Sequence, residues 1–176
     1  MCYKQDADKS IRGFEKFVKP VLKARFGTSK IYSTERHENE LETEIDRNAG
    51  IDGVIVDADG WTFGYSSRVQ FGTNYASFSI RRSRPSGKPT EWDKLNNPLQ
   101  TKPSYHIHCF VDENEQAATV AIIETAELVK YVHEHLDQWR VTSDGEETFY
   151  YAPFAEVAAQ IYRVVAGQVF EKKKAA

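Results

Sequence analysis

The segment GIDGVIVDADGWTFGYSSRVQFG, residues 50–72, constrains this chain more than any other. Asp59-Gly60 is a strong hairpin-turn signal, and the runs on either side, residues 51–57 and 61–70, are rich in β-branched and aromatic residues. A lone hairpin is marginal in water, so the segment commits the chain to a larger sheet. Alternate residues of a strand share a face. On the return strand Trp61, Phe63, Tyr65, Ser67 and Val69 point one way, and Thr62, Gly64, Ser66, Arg68 and Gln70 point the other. The first set reads as core. The second puts a guanidinium and an amide in succession on one face, while the outgoing strand carries Asp52 between Ile51 and Gly53. Glycine beside that acid allows a backbone or a ligand to approach closely.

Elsewhere the pattern is mixed. Ile11, Phe14, Phe17, Val18, Val21, Leu22 and Phe26 follow helical spacing, with Asp8 or Ser10 as cap, Gly27 as stop and Pro20 as a kink. Residues 34–47 are charged and ambiguous. Residues 75–82 read as a strand. A Pro/Gly/Asn-rich loop with one short helix near Glu91–Leu95 follows. Strands are expected at about 104–111 and 119–124, a helix at 126–136, a hairpin around Asp144-Gly145, and a last helix from Pro153 with Phe154, Val157, Ala158, Ile161, Val164 and Val165 on one face. The fold class is α+β, or mixed α/β.

On the first helix Glu15 projects into the apolar arc, at about 100° per residue. An acid there is costly unless a charge or a metal meets it. Glu15 on a helix, Asp52 on one strand and Arg68-Val69-Gln70 on the next together resemble the PD-(D/E)XK phosphodiesterase superfamily, the restriction-endonuclease-like fold. Residues 10–125 carry the resemblance, including SFSIRRSRPSGKPTEWDKL and SYHIHCFV. It implies a central mixed β-sheet flanked by helices, one domain over residues 1–176, and a C-terminal hairpin and helix, about 138–171, packed on that core. It also implies a metal-dependent nuclease in which Asp52 and Glu15 hold Mg²⁺ or Mn²⁺ and Arg68 and Gln70 contact the phosphate. The chain departs from the family in one respect: no Glu or Asp occurs between Gly60 and Glu91, so the second acid of the motif is missing from its strand. Arginine in place of lysine cannot serve as a base but stabilises phosphoryl charge. Glu42, Glu44 or Asp46, just upstream, are candidates to replace the missing acid. These departures motivate an alternative: a catalytically impaired module on the same core that binds nucleic acid or a protein partner, as an accessory factor of a phage or mobile element. A purely structural pairing of Arg68 with Asp52 is the third reading.

Arg81, Arg82, Arg84 and Lys88 form the densest basic cluster and are the expected phosphate contacts, with Trp92 beside them as a stacking surface. By alternation Arg81 points to water or a ligand and Arg82 turns inward. The first 105 residues carry a net charge of +3 and the remainder −6, which suits a basic face toward nucleic acid. His106 and His108 share a strand face. Lacking companion ligands, they read as a partly exposed face rather than a zinc site. Cys109 lies among apolar neighbours and reads as buried and inert. Two cysteines, a polar N-terminus and no apolar run of membrane-spanning length point to a cytoplasmic protein with no membrane partner.

Overall fold

A computed structural model describes residues 3–28, 30–34, 49–141 and 146–172. Helix α1 (Tyr3–Gly13) runs through a π-helical turn (Phe14–Val18) into α2 (Lys19–Phe26). Neither Asp8 nor Ser10 caps this unit, because α1 begins before both. The widened turn ends just before Pro20, which has no N–H to give an α-helix and whose ring would press on the carbonyl four residues back. The N–H of Lys19 instead reaches the carbonyl of Phe14. Gly27 ends α2 at φ 60°, the left-handed cap expected of a glycine.

Among the described residues ten strands follow: β1 (Lys30–Ser33), β2 (Gly53–Val56), β3 (Thr62–Phe71), β4 (Ser77–Ser83), β5 (Tyr105–Val111), β6 (Ala117–Glu124), β7 (Trp139–Val141), β8 (Thr148–Pro153), β9 (Gln160–Val165) and β10 (Gln168–Lys172). Helix α3 (Glu91–Asn96) precedes β5, and α4 (Thr125–Glu134) follows β6. A seven-stranded sheet has the order β1-β2-β3-β5-β6-β9-β10, and a three-stranded sheet the order β4-β8-β7. Among the described residues every pairing is antiparallel except β3 with β5. The architecture is therefore α+β, mostly sheet, with one mixed sheet at its centre.

The predicted hairpin is β2–β3. Its turn is held by Asp57, whose Oδ1 accepts from the N–H groups of Asp59 and Trp61 at 3.0 and 2.8 Å. Gly53 is where close approach is needed: a Cβ there would sit 2.2 Å from the Tyr65 hydroxyl and 2.3 Å from the Tyr32 carbonyl oxygen. The two faces of the large sheet bury different clusters. Tyr65, Ile107, Cys109, Val120, Ile122, Tyr162 and Val164 pack under α1, the π turn and α2, with Phe14 stacked on Tyr65 at 5.5 Å. Phe110, Ala121 and Ile123 face the other way, onto α3, α4 and the three-stranded sheet. Cys109 is buried as expected, and burial pushes its thiol up to about 12.

The C-terminal expectation needs correction. Residues 154–165 do not form a helix. Phe154 and Val157 pack in a turn, and β9 starts at Gln160. Ala166-Gly167, both at positive φ, then turns the chain into β10. In QIYRVV the alternation that buries Tyr162 and Val164 against the main sheet prevails over the helical spacing. The second expected hairpin exists as β7–β8, although Asp144-Gly145 lies outside the described residues. Among the described residues no helix is long and apolar enough to cross a membrane.

Candidate phosphate-binding recess

The parallel register of β3 and β5 places Ser66 beside His106, Arg68 beside His108 and Gln70 beside Phe110. These residues share the face away from α1 and α2, as alternation on β3 predicts. A recess of about 240 Å³ opens over Ser66, Arg68, His106 and His108. Asp52 enters it from the approach to β2. Its main chain extends the sheet, donating to Tyr65 O at 2.8 Å and accepting from Thr34 N at 2.9 Å. Its Oδ2 accepts from Ser67 N at 2.5 Å and from Ser66 Oγ at 3.2 Å.

Arg68 does not pair with Asp52. It donates to Ser79 Oγ at 2.7 Å on β4 and lies 3.3 Å from Glu91 Oε2 on α3. Glu91 was not a sequence-level candidate. It is brought in by α3, whose start is locked by a capping box: Asp93 N donates to Thr90 Oγ1, and Thr90 N donates to Asp93 Oδ2. Glu91 and Lys94, one helical turn apart, both line the recess. Glu91 Oε2 also accepts from the Arg81 N–H at 3.2 Å, and His106 Nε2 lies 3.2 Å from Oε1, out of line for a full hydrogen bond. Burial alone would raise the Glu91 carboxyl, but His106, the Arg68 charge and the Arg81 N–H outweigh it and hold it at about 2.

Both histidines are buried, at 2 % and 3 % exposure, which corrects the partly exposed strand face read from the sequence. His106 Nδ1 bonds Thr125 Oγ1 at 3.0 Å. His108 packs on the Phe78 ring at 5.1 Å, and its Nδ1 has no hydrogen-bond partner among the described residues. Burial, reinforced by the nearby Arg68 charge, pushes His108 down to about 3, so it is neutral at physiological pH.

Glu15 stands elsewhere. It lies outside the recess lining, on the exposed side of the π turn, with Lys19 Nζ at 2.8 Å from its Oε2. The turn changes the helical phase, so Phe14, Phe17 and Val18 take the core side and Glu15 turns out. The predicted Glu15–Asp52 metal pair is thus not formed. The carboxylates that do meet the recess do not replace it: Mg²⁺ prefers several hard anionic oxygens, and Glu91 has both oxygens turned to positive or N–H groups. Glu42, Glu44 and Asp46 lie outside the described residues. Among the described residues the donor set does not fit a divalent cation.

The predicted basic cluster divides. Arg81 and Arg84 line the recess. Arg84 Nε donates to Lys88 O at 3.0 Å, and its terminal nitrogen donates to Pro89 O. Arg81 Nε lies 3.2 Å from Glu147 Oε1. Arg82 turns inward, as alternation predicts, to lie over Trp139 at 4.4 Å and to donate to Tyr150 Oη at 3.2 Å. The side chain of Lys88 sits exposed on the loop outside the recess. Trp92 is not a free stacking surface, since His133 and Tyr150 pack on it at 5.0 Å each. Gln70 faces a neighbouring groove rather than the recess.

Among the described residues the recess thus carries four basic side chains, Arg68, Arg81, Arg84 and Lys94, against two carboxylates, over a floor of two buried imidazoles. That arrangement suits an anion with several oxygens. No family model matches this chain, and no curated protein or solved structure matches it either.

Proposed function

We propose that this protein binds nucleic acid through its phosphates, and that the recess beside Asp52 and Arg68 is the contact point. The observation that carries the reading is the convergence of Arg68, Arg81, Arg84 and Lys94 on a concave surface where, among the described residues, basic groups outnumber carboxylates. Isolated surface cations would bind phosphate weakly. Here Arg68 is held in place by Ser79 and Glu91, so little side-chain freedom is lost on binding. Glu91 acts as a positioning residue for the guanidinium rather than as a metal ligand. The resemblance to the PD-(D/E)XK superfamily supports a phosphodiester as the ligand. The missing second acid and the outward-facing Glu15 favour binding over metal-dependent cleavage.

Fluorescence anisotropy with a labelled oligonucleotide across a salt series tests this. The affinity of the wild type falls steeply as salt rises. Lys94→Ala weakens binding of all sequences alike and lowers the salt slope by about one. Arg68→Lys retains charge but loses the forked contact to Ser79 and Glu91, and binds less tightly than wild type. Salt-independent binding, or no binding, would overturn the phosphate reading. Strand cleavage that requires Mg²⁺ or Mn²⁺ and disappears in Asp52→Ala would overturn the binding-only form of it.

A further inference from the structure

Arg68 lines two cavities. One is the recess. The other is a groove of about 480 Å³ between β3 and the exposed face of the β4-β8-β7 sheet. Its chemistry differs from that of the recess. Phe149 lies under Arg68, with the guanidinium 5.3 Å from the ring centre, and Tyr151 lies under Arg140 at 5.4 Å. Tyr75 stands at the mouth, 64 % exposed. The Gln70 amide projects into the groove and makes no hydrogen bond with the described residues. Glu147, the only carboxylate lining it among the described residues, lies against Arg81.

We propose that this groove holds the base of the nucleotide whose phosphate lies in the recess, so that the ligand is single-stranded nucleic acid and not duplex. The inference rests on the phosphate reading above and adds what the groove contributes. Aromatic rings interleaved with arginines stack on any base, and cations over those rings strengthen the platform. Gln70 offers both a donor and an acceptor to a base edge. His108, buried beside Arg68, lines the recess at its border with the groove. Phe149, Ser77 and Ser79 are buried at the back of the groove, so the rings left open to a base are the exposed Tyr75 and the half-buried Tyr151. A base enters only after leaving its helix, which a single strand does at little cost.

The test compares four labelled ligands with the full chain: a 5′-phosphorylated oligothymidylate of about eight nucleotides, the matching oligouridylate, an abasic strand with the same phosphates, and a blunt duplex. The proposal expects either or both natural single strands to bind about 10-fold tighter than the abasic strand and the duplex. Tyr75→Ala, a change at an exposed side chain, lowers natural-strand affinity about 5-fold, leaves the abasic strand unaffected, and is rescued by Tyr75→Phe. Equal affinity for natural and abasic strands overturns the base groove while leaving the phosphate recess standing, and tighter binding of the duplex overturns it as well. Failure of every ligand to bind overturns both readings.

Discussion

The two faces of the β3–β5 pair are one residue out of step and have opposite characters. On the helix side Tyr65, Val69, Ile107 and Cys109 meet Phe14 and its neighbours in a dry cluster. On the other side Ser66, Arg68, His106 and His108 meet Glu91 and a solvent-reaching recess. The same strands thus anchor the fold with one face and expose chemistry with the other. The polar face survives because its charges satisfy one another: Glu91 is held by Arg68 and by the Arg81 N–H, and Arg68 is held by Glu91 and Ser79. The helix-side face needs no such network, since burial alone stabilises it.

Single substitutions separate the two faces by the size of their effects. The largest effect on folding belongs to the dry face. Ile107→Ala costs about 2–5 kcal/mol, read as a lowered urea midpoint, because Ile107 is fully buried and its neighbours cannot close the cavity. Ligand affinity of the folded fraction stays as in wild type.

The second effect is smaller and belongs to the polar face. His108 titrates at about 3 in the folded chain against 6.5 when unfolded, so the unfolded state takes up more protons between those values. Its contribution is complete above pH 6.5 and is lost as pH falls toward 3. Glu91, held at about 2 against 4.5, adds a further loss from pH 4.5 downward. Moving from pH 7 to pH 5 therefore costs on the order of 2 kcal/mol through His108. Urea midpoints at the two pH values differ less in His108→Phe, whose ring keeps the contact with Phe78 and has no proton to take up.

The smallest effect is at Glu15. Its i,i+4 pair with Lys19 is surface-exposed, so Glu15→Ala changes stability by about 0.5 kcal/mol or less and leaves nucleic-acid affinity unaltered. A large loss of binding in that variant would restore it to the site and contradict the placement of the π turn.

Periodicity and turn chemistry made much of this molecule readable. The β2–β3 hairpin, the assignment of Arg68 and Gln70 to one face, the inward turn of Arg82 and the short helix at Glu91 all follow from local rules. The rules failed where a feature depends on distant partners. Nothing local to β5 says that it pairs in parallel with β3, so the burial of His106 and His108 against Arg68 and Glu91 was hidden. Glu15 was misplaced because a straight-helix projection cannot register a π turn before Pro20. Residues 154–165 satisfy both helical and strand spacing, and the vacancy beside β6, visible only in three dimensions, decides for the strand. The capping-box signature Thr90-x-x-Asp93 was available and would have indicated that Glu91 begins a helix, but not what that helix faces.

The single parallel pairing also orders assembly. The β2–β3 hairpin is local and can close within microseconds, on the order of 1–10 μs. The β3–β5 contact must first enclose the whole intervening crossover, and such loop closure is slow. All described lining residues of the recess fall at positions 50–108, whereas the groove also draws on β7 and β8. A chain emerging from the ribosome therefore carries the described lining of the recess, with Gln70 and Tyr75 of the groove, before Arg140, Phe149 and Tyr151 are made, and on the proposed reading a nascent chain stalled between these points would hold phosphate with half of the base groove still missing.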